Sequence, residues 1–300
     1  MDNYAPPYPA DTPADTNRLM SSLAPAPSEA ARNVSGGAFP DSTKNPSENL
    51  PENVPAIVLA AGRGQRMRPL TDSCPKPLLA VRGRPLLAWH LDALRAAGVR
   101  RFAINTGWLG RQVHEFARRY ADQAAADAPA LHWHVSREEI DFGHALETAG
   151  GIARALPWLC AGGAQVFWAV AGDIYAPDFV FDAQAAARFA ASGRLAQLWL
   201  APNPPQHPAG DFALAAGGLA ANEAAPGQPR YTFSALALYH RDLFAPPWCD
   251  IPPGNPQGRA APLAPLLRAA AAAGRVGTSL YTDFWADVGT PDRLAALNAD

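Results

Sequence analysis

The sequence predicts a doubly wound α/β fold, with a mostly parallel sheet and a smaller antiparallel portion. Two observations carry this prediction. Between residues 54 and 201, short aliphatic runs alternate with segments whose apolar residues recur at helical spacing. After residue 211 the order changes to strand-like runs of the kind that pair as hairpins. There is no internal repeat.

Taken in order, residues 54–60 read as a buried strand. Residues 85–97 carry Leu87, Leu91 and Leu94 on one helical face, with Pro85 in the first turn and Gly98 as the stop. A strand over 101–105, a helix over 109–120 and a strand over 131–136 follow. The alternation continues with a short helix over 150–156, a central strand over 165–171, a helix over 178–191 and a strand over 196–201. Residues 211–214 and 231–239 are expected to be antiparallel strands, 262–273 a helix and 280–286 a last strand.

Three hundred residues suffice for one large or two modest domains. Before residue 54 the chain is rich in Pro, Ala, Ser, Asn and Asp and poor in aliphatics. Such a segment cannot bury enough apolar surface to offset its ordering entropy. Residues 1–53 are therefore expected to be a disordered extension, and 54–300 a single domain. A net charge of −2 with mixed signs gives no basic face for nucleic acid. No apolar run approaches the ~20 residues of a membrane helix, and the first residues lack the basic-then-apolar start of a secretory signal. Cys74, Cys160 and Cys249 are odd in number and widely spaced, matching neither a disulfide framework nor a zinc site. A soluble cytoplasmic protein acting on small molecules is expected.

The most informative stretch is Ile57-Val58-Leu59-Ala60-Ala61-Gly62-Arg63-Gly64-Gln65-Arg66-Met67-Arg68-Pro69-Leu70-Thr71, followed by Pro75-Lys76-Pro77. A buried strand runs into a loop of small residues, which lets backbone approach a ligand and lets successive N–H groups form an anion-binding concavity. The cations that follow suit a triphosphate. The loop lacks the Gly-Lys-Ser/Thr ending of a Walker loop and the third glycine of a dinucleotide fingerprint.

A second constellation lies at two predicted strand ends. Gly172-Asp173 ends the central strand, and Trp285-Ala286-Asp287-Val288-Gly289-Thr290 ends the last one. Two carboxylates from separate strands can converge on one octahedral Mg²⁺, with water and phosphate oxygens completing its shell. His132 and His134 share a strand face, but nothing adds a third ligand to them.

The order G-x-G-x-R-x-x-P-L-T then P-K-P resembles the signature of the sugar-1-phosphate nucleotidyltransferases. Ala145-Leu146-Glu147-Thr148-Ala149-Gly150-Gly151, Gly210-Asp211-Phe212 and Tyr231-Thr232-Phe233-Ser234 look like the corresponding loops of the N-acetylmuramate-1-phosphate uridylyltransferases of cell-wall recycling. Ala149 and Ala235 depart from that pattern, each standing where relatives carry glycine. The resemblance implies a Rossmann-like nucleotidyltransferase sheet with a small antiparallel sugar-binding portion. It implies uridylyl transfer from UTP to a sugar 1-phosphate with Mg²⁺, and a set of residue roles. Leu59, Ala60 and Gly62 would contact base and ribose, and Gly64, Gln65 and Arg66 the β- and γ-phosphates. Lys76 would bridge the α-phosphate and the sugar phosphate. Leu146 and Glu147 would belong to the base loop, while Asp211, Ser234 and Asn105 would bind the acceptor. Asp173 and Asp287 would hold the metal, and Arg66, Lys76 and Asp173 would form the catalytic set. The motif loop leaves open a thymidylyl- or guanylyltransferase acting on glucose- or mannose-1-phosphate, and a non-catalytic nucleotide-sugar sensor.

Overall fold

The computed structural model describes residues 54–124 and 131–299; the extension expected over 1–53 lies outside them. The first strand, β1 (Ala56–Ala60), leads through three short 3₁₀ turns to a two-stranded ribbon of β2 (Ala80–Val81) and β3 (Arg84–Pro85). Helix α1 (Leu86–Ala96), β4 (Arg101–Thr106), α2 (Gly110–Ala124) and β5 (His132–Arg137) follow in alternation. Next come α3 (Glu138–Phe142), α4 (Glu147–Leu159), β6 (Val166–Ala171), β7 (Ile174–Tyr175), α5 (Ala183–Ala191) and β8 (Ala196–Ala201). The remainder comprises β9 (Phe212–Ala215), β10 (Leu219–Ala221), the long β11 (Arg230–His240), α6 (Ala264–Ala272), β12 (Val276–Leu280), β13 (Ala286–Asp287) and α7 (Pro291–Asn298).

Among the described residues a nine-stranded sheet runs in the order β5-β4-β1-β6-β11-β8-β12-β10-β9. The β5-β4-β1-β6 half is parallel throughout. Strand β11 then runs antiparallel between β6 and β8, and β12 returns parallel to β8. The sheet is thus mixed, with one continuous parallel half and a second parallel pair, β8–β12, beyond β11.

Strand alternation explains the two faces. Ile57, Phe167, Ala169 and Leu198 point to one side and pack with α4 and α6. Ala56, Val58, Trp168 and Val170 point to the other and pack with α1, α2 and α5. Helices on both faces are what the predicted winding requires. On the second face, Trp168 meets Phe181 and Trp199 with centroids 5.1 and 5.2 Å apart, at the centre of an aromatic cluster.

The helix expected over 178–191 begins only at Ala183, and the last strand also differs from expectation. The strand expected over 280–286 is two strands, β12 and β13, joined by a loop. Tyr281 and Trp285 in that loop pack on the second core face from irregular backbone. Splitting the strand frees β13 to leave the main sheet and pair antiparallel with β7, matching Asp287 with Ile174.

Candidate active site

The carboxyl ends of β1, β4 and β6 open onto a cleft of about 660 Å³. Its wall includes Leu59, Ala60, Ala61 and Gly62 from the loop after β1, and Glu147 and Thr148 at the start of α4. Asp211, Phe212, Phe233 and Ala235 lie on the antiparallel side, Pro262 and Leu263 lead into α6, and Ala264, Leu267 and Arg268 lie on it. Lys76, Asp173 and Asn105 also reach it.

The glycine loop turns at Gly64, whose φ of 65° is left-handed. A side chain there would crowd Thr71 and the Lys76 stem, at 3.1 and 3.3 Å. Thr71 Oγ1 donates to the Gly64 carbonyl at 2.8 Å, and Trp108 Nε1 donates to the Thr71 carbonyl at 2.7 Å. Arg63 lies over the Trp108 ring, 3.9 Å from its centroid. Gln65 and Arg66 are exposed on the turn that follows and do not line the cleft. Arg68 pairs with Asp72 across one surface turn.

Lys76 is 6% exposed. Its Nζ sits 2.7 Å from Asp173 Oδ2 and 4.0 Å from Asp287 Oδ1. The β7–β13 ladder, extended by Val288 N–H donating to the Asp173 carbonyl at 3.1 Å, sets the two aspartates side by side. His90, buried on α1, donates from Nε2 to the Ile174 carbonyl at 3.0 Å, and burial holds its pKa down at about 4. Its neutral ring therefore secures the strand next to Asp173. Two hard carboxylates converging on one ammonium fit a divalent cation that takes its other oxygens from phosphates and water. Among the described residues there is no cluster of three or more metal-ligating side chains, so such an ion would depend on its substrate.

Asn105 is placed at the cleft, but its amide is engaged with protein. Its Oδ1 accepts from Ala60 N–H at 2.8 Å and its Nδ2 donates to Glu138 Oε1 at 2.8 Å. Glu138 is fully buried, and its other oxygen accepts from Leu146 N–H at 2.7 Å. Burial pushes the Glu138 carboxyl up, opposed by the hydrogen bonds from Leu146 and Asn105. This chain ties the glycine loop to the start of α4. Asn105 thus lines the cleft with its amide engaged by Ala60 and Glu138.

Leu146 lies in the same network and does not line the cleft. Its side chain is buried, its N–H is given to Glu138, and its carbonyl accepts from Ala261 N–H at 3.0 Å. Both of its backbone groups are hydrogen-bonded within the protein. Glu147, the next residue, is exposed at the cleft with a φ of 56°, a left-handed conformation uncommon outside glycine.

Ser234 lies behind the cleft wall. It is fully buried, and its hydroxyl donates to the Trp199 carbonyl at 2.7 Å. Its own carbonyl accepts from Trp285 Nε1 at 2.9 Å. It pins the β11 bulge, where pairing with β8 shifts between Phe233 and Ala237. Ala235 reaches the cleft instead, with a φ of 62°. Asp211 is at the cleft as expected. Its Oδ2 accepts from Phe233 N–H at 2.8 Å, and its Oδ1 lies 3.1 Å from His207 Nε2.

Sequence reasoning missed Glu138 and Arg293. Arg293 Nη1 lies 2.7 Å from Asp287 Oδ2. Thr290 caps α7 by accepting from Arg293 N–H, which sets Arg293 in the first turn beside the aspartate. The Thr-Pro start of that helix was a usable signal. Glu138 carried none, since nothing local marks a carboxylate for full burial.

A lysine held between two strand-end carboxylates, beside a wall of loop backbone, belongs to a nucleotidyltransferase. Residues 56–241 match the MobA-like NTP transferase domain, and the chain belongs to that family. It is 40% identical over 249 residues to the N-acetylmuramate α-1-phosphate uridylyltransferase of Neisseria meningitidis, covering 81% of this chain and 96% of that protein. A Caulobacter vibrioides protein of the same name is 42% identical over 107 residues, covering 36% of this chain and 41% of that protein. The solved inositol-1-phosphate CTP transferase from T. maritima shares the fold at a TM-score of 0.58 and 16% identity. That match covers 83% of this chain and 96% of that one.

Proposed function

We propose that this chain transfers UMP from UTP to N-acetyl-α-muramate 1-phosphate, forming UDP-N-acetylmuramate and pyrophosphate for cytoplasmic peptidoglycan recycling. Residues 54–300 would do so as one domain. The observation that carries this reading is the 40% identity to the Neisseria enzyme along 96% of its length. A cleft of about 660 Å³ is also in the range of small-molecule sites.

The nucleophile is an oxygen of the sugar phosphate, and it attacks the α-phosphorus of UTP while the bond to pyrophosphate breaks. A phosphate monoester has a second pKa near 6 (about 6), so it is largely ionised at neutral pH and needs no general base. Catalysis then consists of positioning and charge neutralisation. Backbone at Leu59, Ala60 and Gly62 receives base and ribose, helped by Glu147. Gly64, Gln65 and Arg66 receive the β- and γ-phosphates, Arg66 through its planar fork. Lys76 neutralises charge between the α-phosphate and the sugar phosphate. Asp211 hydrogen-bonds sugar hydroxyls. Asp173 and Asp287 would hold Mg²⁺, which when bound offsets phosphate charge as a Lewis acid.

The test is pyrophosphate release with UTP, Mg²⁺ and a panel of sugar 1-phosphates. Release selective for the muramate sugar is expected. Selectivity for glucose- or mannose-1-phosphate would overturn the substrate, and no release with any nucleoside triphosphate would overturn the reaction.

A further inference from the structure

N-acetylmuramate differs from N-acetylglucosamine by a lactyl ether, whose carboxylate is ionised at neutral pH. A site that selects the muramate sugar has to meet that charge. The charged side chains on the cleft wall are Glu147, Asp173, Asp211, Lys76 and Arg268. The three acids repel a carboxylate, and Lys76 is held by Asp173 and Asp287. Arg268 is left, with no carboxylate partner among the described residues. Resting on the proposed acceptor, we infer that Arg268 binds the lactyl carboxylate and so determines selection of the muramate sugar.

Its position supports the assignment. Leu263 and Leu267 are buried in the core and fix α6 against the sheet. Ala264, one turn before Arg268, also lines the cleft. Helical side chains lean toward the helix N-terminus, so Arg268 passes over a methyl group on its way to the cleft. Asn222 Nδ2 donates to the Arg268 carbonyl at 2.9 Å, tying that turn to the segment just after β10. Strand β10 pairs with β9, which starts at Phe212 beside Asp211. Arg268 therefore belongs to the acceptor end. A guanidinium fork matches a carboxylate in two-point contact, which an ammonium does not.

The experiment compares steady-state kinetics of the wild-type chain, Arg268→Ala and Arg268→Lys with UTP and N-acetylmuramate 1-phosphate, and with N-acetylglucosamine 1-phosphate as the acceptor lacking the carboxylate. The KM for the muramate sugar is expected to rise about tenfold or more in Arg268→Ala, and less in Arg268→Lys, as for loss of one charge-assisted contact. The KM for UTP should stay within about twofold, since Arg268 lies at the other end. An unchanged muramate KM, or an equal loss for the acceptor lacking the carboxylate, would overturn the inference. If the wild-type chain itself does not prefer the muramate sugar, the proposed function fails first and takes this inference with it. That result is visible before any variant is made.

Discussion

At the end of the cleft where we place the nucleotide, the wall is the carboxyl edge of β1, β4 and β6, three hydrogen-bonded parallel strands. At the acceptor end it is a bulge in β11, a hairpin and one face of α6. The first wall is held by a fully buried Asn105–Glu138–Leu146 network, the second by part-buried bonds from Phe233 N–H to Asp211, from Ser234 to Trp199 and from Trp285 to Ser234. The fully buried network is expected to fail as a unit, and the part-buried acceptor end to leave more room for adjustment. Uridine recognition should tolerate little change, whereas acceptor choice can shift by single substitutions.

The largest effect is expected where the two ends meet. Lys76→Ala should lower kcat by roughly 10²–10³-fold, the scale of removing one positioned charge from a transferring group. Its thermal unfolding midpoint should remain close to wild type. Activity within about threefold of wild type would remove Lys76 from the reaction. Asp287→Asn should follow, with the Mg²⁺ concentration for half-maximal rate rising about tenfold or more. An unchanged Mg²⁺ titration would mean that the β7–β13 ladder does not build a metal site.

The framework end can be broken with one methyl group. A Cβ at Gly151 would lie 2.5 Å from Glu138 Oε1 and 2.8 Å from Asn105 Nδ2. Gly151→Ala should cost about 2 kcal/mol, since disrupting a buried carboxylate's hydrogen bonds outweighs the gain in helix propensity. The KM for UTP should rise with it. Wild-type stability on chemical denaturation would show that the network gives way without cost. At the adjustable end, Ala235→Gly should stabilise by about 1 kcal/mol or less, because glycine accepts the left-handed backbone that alanine resists. Destabilisation would mean that the Ala235 methyl contributes packing that outweighs its strain.

This contrast also explains what could be read in advance. The parallel half was legible because apolar runs, helical spacing and strand-end loops are local, so β1, β4, β6, Lys76 and Asp173 fell where the pattern put them. Asp287 was found through its motif even though its strand was mis-drawn. Three of the site candidates hold their polar groups inside the protein. Asn105, Leu146 and Ser234 sit beside the cleft in sequence order, but burial and long-range hydrogen bonds turn their polar groups inward. Which way a polar group faces in a bulge or behind a loop depends on partners far along the chain, such as Glu138 for Asn105 and Trp199 for Ser234. Arg268 lay in an ordinary amphipathic helix and gained meaning only when α6 closed the acceptor end.

The division of the cleft is tested most directly by Asp211→Ala, with KM measured separately for UTP and for N-acetylmuramate 1-phosphate. The account predicts a rise of about tenfold in the acceptor KM, as for a lost hydrogen-bonded carboxylate, with the UTP value within about twofold. A rise in the UTP KM equal to or larger than that of the acceptor would contradict it, and would place Asp211 in the framework that holds the nucleotide.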